Sequence, residues 1–210
     1  MRIACLHTIG ANVAVFDAAA APLGLTVEHA VRDDLLKSAE AAGGTTPEID
    51  RSTADALLEL VPMADAILLT CSTVGRGAEL AAAEAKIPIV RVDAALAEQV
   101  VAAGGRAMVL CAAATTLEPT RRLFERTAQG ASIEIDYELV PGAWALYKAG
   151  DITGYARVIA AAADAAYAAG YTTVALAQAS MACAGEFTTK GVPLASPAAG
   201  LAAAARAWQA

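Results

Sequence analysis

The sequence has no run of about 20 strongly apolar residues, the length a membrane-spanning helix requires. That absence disfavours an integral membrane protein, even though 57% of the 210 residues are hydrophobic; alanine supplies much of this fraction. No cluster of lysine or arginine stands out and the net charge is −7, so the positive stripe that nucleic acid needs is missing. No CxxC pair occurs among Cys5, Cys71, Cys111 and Cys183, and the two histidines, His7 and His29, stand at no Cys/His metal spacing. No metal is expected on that ground. Only 18% of the residues are charged, and so apolar a chain is expected to fold rather than to remain disordered. Residues 1–7 are too short and too soon interrupted to read as a signal peptide, and read instead as a first strand. The expected compartment is therefore the cytoplasm, where disulfides are not expected.

What the chain does contain is an alternation. Apolar segments of strand length fall at 2–7, 25–31, 66–70, 87–92, 106–111, 133–140, 173–178 and 192–195. Alanine-rich helical segments fall between them, near 12–21, 51–62, 78–85, 94–103, 117–129, 153–169, 181–188 and 197–208. Continuous apolar strands alternating with helices predict an α/β protein with parallel sheets covered on both faces. Pro119 suits a first helical turn, Gly104, Gly105 and Gly170 suit helix ends, and Asp151 and Asp93 suit caps. Residues 40–46 read as a crossing loop or lid.

The pattern also repeats. Strand 2–7 precedes the Cys71 segment by about the distance that strand 106–111 precedes Gln178-Ala179-Ser180, and a proline-bearing short strand follows in each half. This predicts two pseudo-symmetric doubly wound lobes, each with a mainly parallel four-stranded sheet, over residues 1–92 and 93–195. Residues 196–210 would form a C-terminal helix packing back on a lobe. Ligands of open α/β sheets bind at the carboxyl ends of strands, so the active site is expected in a cleft between the lobes.

Cys71 is the most informative position. Ala66 to Thr70 read as a buried strand, and Ser72-Thr73-Val74-Gly75 as a small polar loop opening a helix. A thiol held there, near the positive end of a helix, is expected to have a lowered pKa and to act in proton transfer or as a nucleophile. The other loops at strand ends offer His7 as well as Thr115, Thr116, Gln178 and Ser180. Together with Ser72 and Thr73, these hydroxyls and the backbone N–H groups at helix starts suit a small carboxylate. Ser72, Thr73, Thr115 and Thr116 could equally cap the helices that follow them, and His7 could be satisfied by a neighbouring loop.

Several segments carry a resemblance. They are Leu69-Thr70-Cys71-Ser72-Thr73-Val74-Gly75, Ala114-Thr115-Thr116-Leu117-Glu118-Pro119-Thr120, Gly142-Ala143-Trp144, Ala149-Gly150-Asp151 and Leu176-Ala177-Gln178-Ala179-Ser180-Met181-Ala182. With Leu6-His7-Thr8 they make the chain resemble the aspartate/glutamate/hydantoin racemase superfamily. The resemblance implies cofactor-independent chemistry, in which one cysteine from each lobe flanks the substrate α-carbon. Cys71 matches the first-lobe cysteine. The second would stand at Gln178 or Ala179, and Cys183 follows about one helical turn later. The group acting on the second face is thus open among Gln178, Ser180 and Cys183. The resemblance implies a racemase or isomerase acting on a small amino-acid-like or carboxylate substrate, with catalytic Cys71 and Cys183, and a homodimer. One-cysteine decarboxylases and cis–trans isomerases share the scaffold, and a non-catalytic carboxylate-binding protein is the reading from another class.

Overall fold

The computed structural model describes residues 1–209; Ala210, the last residue of the expected C-terminal helix, lies outside the described residues. The chain divides into two compact units: Met1–Ala95 with the C-terminal segment from Pro197, and Leu96–Ser196. Among the described residues the two sheets each have four strands, all paired in parallel. This is the α/β class that the alternating pattern predicts. No helix of the described residues is long and apolar enough to cross a membrane.

In the first unit the order is β1 (Arg2–His7), α1 (Asn12–Ala20), β2 (Thr26–Val31), α2 (Asp33–Ala42), α3 (Pro47–Leu58), β3 (Ala66–Leu69), α4 (Gly75–Glu84) and β4 (Ile89–Arg91). The sheet order is β2-β1-β3-β4. The central strands are apolar along their whole length because both faces are covered: Ile3 to Leu6 and Ala66 to Leu69 are buried. On one face Ala4, Leu6, Ile67 and Leu69 pack with Leu35, Leu57 and Ala78. Each fully buried leucine or isoleucine stabilises the fold by roughly 1.5–3 kcal/mol.

In the second unit α5 (Val92–Ala103), which begins in the first, leads into β5 (Gly105–Cys111), α6 (Ala114–Thr127), β6 (Ile133–Leu139), α7 (Ala143–Lys148), α8 (Ile152–Ala168) and β7 (Thr173–Leu176). A 3₁₀ segment (Ala179–Glu186) and β8 (Leu194–Ala195) follow, and α9 (Ser196–Gln209) belongs from Pro197 onward to the first unit. The sheet order is β6-β5-β7-β8, the same path as in the first unit. Its core joins Met108, Leu110, Tyr155, Ile159, Val174 and Leu176.

Four expectations change. Residues 33–42, where no helix is expected and a loop is expected from residue 40, form α2: Asp33 and Asp34 sit in its first turn, and Leu35, Leu36 and Ala39 are buried. It stops at Gly43, whose φ of 70° suits a glycine, so the loop shrinks to residues 43–46. Helix α6 starts at Ala114, three residues before the expected 117, which puts Pro119 inside the helix rather than in its first turn. The N–H that proline lacks is the one the helical ladder would direct at the Thr115 carbonyl. The helix expected at 181–188 is instead a 3₁₀ stretch over Ala179–Glu186. Asp93 lies in the first turn of α5 with its carboxylate on Arg91, at 2.8 and 3.0 Å, rather than capping it. Asp151 does cap α8, accepting from the Gly154 N–H at 2.8 Å.

Candidate active site at the strand ends

Strand β3 ends at Leu69, and the ladder runs one bond further, from the Thr70 N–H to the Leu6 carbonyl at 3.1 Å. The chain then turns through Cys71, Ser72 and Thr73 into α4. Glycine is required where α4 begins. A Cβ on Gly75 would fall 2.4 Å from the Arg91 guanidinium, and one on Gly77 would fall 2.4 Å from Thr53. Arg91, at the end of β4, is mostly buried and neutralised by Asp93 and by Glu79 at 2.8 Å.

Cys71 is half-buried. Loss of hydration pushes its thiol pKa up, and this outweighs hydrogen bonds from the Thr8 hydroxyl, the Val74 and Thr73 N–H groups and the Thr73 side chain, which all pull it down. The expected lowering is therefore corrected: the donors are present, but burial wins. Thr8, named in the sequence only within Leu6-His7-Thr8 and given no role there, supplies one of these donors. Its signal is its position, one residue past the end of β1 beside the end of β3. Ser72 and Thr73 are buried beside the thiol.

His7 is fully buried with both ring nitrogens engaged. One contacts Thr70 Oγ1 at 2.8 Å and the other His29 Nδ1 at 2.8 Å. Burial, and then the neighbouring His29, lowers its pKa to about 4, with Asp17 opposing. Both His7 nitrogens are therefore taken up by protein partners rather than turned toward the Cys71 thiol.

In the second unit the equivalent strand ends carry different groups. Leu110 pairs with Leu176 as Leu6 pairs with Leu69, and two residues beyond these partners stand Gln178 and Cys71 respectively. Gln178 is the topological counterpart of Cys71. Its Oε1 accepts from the Ala112 and Ala113 N–H groups at 2.7 and 3.0 Å. The side chain thus closes the backbone donors that precede α6. Thr115 and Thr116 lie in the first turn of that helix, half-buried and buried. Ser180 Oγ is 3.0 Å from the Tyr155 hydroxyl. Cys183, half-buried on the 3₁₀ segment, donates to the Ser180 carbonyl at 3.3 Å and packs on the apolar core. Burial raises its pKa as well, Glu186 adding to the effect and its own backbone N–H opposing it.

No known protein-family profile matches the chain, and no curated protein matches its sequence. Solved structures do match in shape. A glutamate racemase isoform from Bacillus anthracis superposes with a TM-score of 0.71 at 12% identity, covering 99% of this chain and 81% of that one. Glutamate racemase from Thermus thermophilus, solved with β-chloro-D-alanine, gives 0.66 at 15% identity over 99% and 80%. An aspartate racemase homologue from Pyrococcus horikoshii gives 0.63 at 14% identity over 100% and 99%. The chain therefore has the fold of the glutamate and aspartate racemases.

Proposed function

We propose that this chain is a cofactor-independent enzyme of the racemase and isomerase kind, moving a proton on a small carboxylate or amino-acid-like substrate with a single thiol, Cys71. The observation that supports the reading is the hydrogen-bond shell of Cys71. The Thr8 hydroxyl, the Thr73 side chain and the Thr73 and Val74 N–H groups all point at one sulfur at a strand end. Such donors stabilise a thiolate more than a thiol, so they help most at the moment the sulfur carries charge. The thiolate takes the α-proton, the C–H electron pair delocalises into the adjacent carbonyl group, and the new thiol returns a proton to carbon.

The contents of the second unit support the single-thiol form over a second acid–base group at Gln178, Ser180 or Cys183. Gln178, at the Cys71-equivalent position, has no ionisable group and is committed to backbone donors. Ser72, Thr73, Thr115 and Thr116 are assigned to carboxylate binding in this reading, and His7 is left out. A one-thiol enzyme exchanges an α-hydrogen, or protonates after decarboxylation, on one face of the carbon. A second reading, favoured by the upward-shifted Cys71 thiol, is a non-catalytic carboxylate-binding protein on the same scaffold.

The test is α-hydrogen exchange in deuterated water across amino acids, hydantoins and substituted malonates, with decarboxylation of the malonates followed in parallel. Exchange or decarboxylation that vanishes in Cys71→Ala is the expected result. Thermal stabilisation by one of these compounds with neither reaction would replace the enzyme by the binding protein.

A further inference from the structure

The first unit carries a second cluster that this chemistry does not use. Cys5, His7 and His29 supply one sulfur and two ring nitrogens, all within 4.8 Å of one another. The sheet builds it. Cys5 and His7 are two residues apart on β1 and so share a face, and His29 on β2 is the register partner of Cys5. His7 Nε2 and His29 Nδ1 face each other at 2.8 Å. The outward nitrogens are also engaged: His7 Nδ1 lies 2.8 Å from Thr70 Oγ1, and His29 Nε2 lies 3.0 Å from Asp17 Oδ1.

The protons of this network do not place themselves comfortably. A carboxylate only accepts, so His29 Nε2–H donates to Asp17. The Thr70 hydroxyl donates to the Leu6 carbonyl at 3.1 Å, and so accepts from His7 Nδ1–H. A neutral imidazole has one N–H, so the two inward nitrogens then present lone pairs to each other at 2.8 Å. That contact is repulsive unless the protons are rearranged or a positive centre lies against both. An extra proton would serve, and so would rotation of the Thr70 hydroxyl away from Leu6. Only a metal ion would also draw in the Cys5 sulfur.

We propose that Cys5 Sγ, His7 Nε2 and His29 Nδ1 are the ligands of a metal site for a borderline-to-soft ion, Zn²⁺ in the first instance. Sulfur with two imidazoles is a donor set that suits this class of ion. Each histidine already has the outer-shell acceptor that holds a ligating ring in the correct tautomer, a carboxylate for His29 and a hydroxyl for His7. Tetrahedral coordination at ordinary Zn–N distances needs the two nitrogens about 3.3 Å apart, so the rings must part by only about half an ångström. His29, the least buried of the three ligands, is on the side where that movement is easiest. The Cys5 thiol loses its proton to solvent as the Zn–S bond forms, and the Asp17 carboxylate balances the remaining positive charge. The site runs against the expectation from Cys/His spacing, because the sheet register rather than a sequence motif brings the three ligands together. It rests on no assumption about Cys71.

The experiment uses the full chain, stripped with a chelator and dialysed against Zn²⁺, with metal content measured on the folded protein. One Zn²⁺ per chain is expected. Co²⁺ in its place should give tetrahedral visible bands and a thiolate-to-metal charge-transfer band, the latter lost in Cys5→Ser. Because Cys5 is in the core, His29→Gln gives a second arm and should abolish retention with the circular dichroism unchanged. Asp17→Asn should weaken affinity about 10–100-fold, while Cys71→Ala and Cys183→Ala should leave the spectrum intact. The site is refuted by folded protein that retains no ion, by a charge-transfer band indifferent to Cys5→Ser, or by one that disappears with Cys71→Ala.

Discussion

The two units share one backbone plan and finish it differently. In both, the first strand lies between the second and third, and a residue two positions past the third strand's last shared pair meets the loop that follows the first strand. In the first unit that residue is Cys71, and the loop's Thr8 turns a hydroxyl toward its sulfur. In the second it is Gln178, and the loop's Ala112 and Ala113 turn backbone N–H groups toward its amide oxygen. One scaffold therefore offers a thiol with converging donors at one site and a self-satisfied polar contact at the other. A repeated fold fixes where a group will stand, not which chemistry it performs.

The sharpest way to break this asymmetry is to remove each half's thiol. Cys71→Ala should lower α-hydrogen exchange or decarboxylation by about 10²–10⁴-fold, the usual contribution of a positioned acid–base group, while Cys183→Ala keeps most of it. Equal losses would restore a two-thiol mechanism.

The next effect is on stability at high pH. Cys111, the counterpart of His7, is fully buried, and burial pushes its thiol up to about 12. A folded pKa above the unfolded one means stability that is complete below about pH 8.5 and is lost as pH rises through the folded value. Denaturant unfolding between pH 8 and 11 should show a stability decline, on the order of a few kcal/mol, that is shallower in Cys111→Val. Identical slopes in the two proteins would mean that the buried thiol does not couple to folding.

Gln178→Leu comes next. It strands the Ala112 and Ala113 N–H groups and should destabilise the chain by about 1–3 kcal/mol in urea titrations, with Gln178→Glu recovering most of the loss at pH 7. A neutral Gln178→Leu would show that water replaces the amide oxygen and that this half is not closed after all. The smallest effect is expected at Thr8→Val, which removes one donor from Cys71. The thiol pKa should move further up and iodoacetamide alkylation at pH 8 should slow, with little change in fold. Faster alkylation would mean that Thr8 shields the sulfur rather than bonding it.

Much of this architecture was legible beforehand because buried parallel strands are apolar along their whole length, as Ala66 to Leu69 and Val174 to Leu176 are. The internal repeat located Cys71 and Gln178 on equivalent loops before any register was known. Helix α2 was missed because its buried residues, Leu35, Leu36 and Ala39, are few and the glycines after it dominate the local pattern. The direction of the Cys71 pKa was misread because a helix start is visible in sequence, whereas the loss of hydration around one sulfur is not.

By itself the sequence determined the α/β alternation, the two similar halves and the strand-end position of Cys71, all consequences of local periodicity and spacing. Tertiary structure alone decided which donors reach that sulfur, what Gln178 is bonded to, and that Cys5, His7 and His29 meet. Those depend on strand register and burial: parallel pairing sets residues 22 to 24 positions apart side by side, and no short-range pattern in the chain records it.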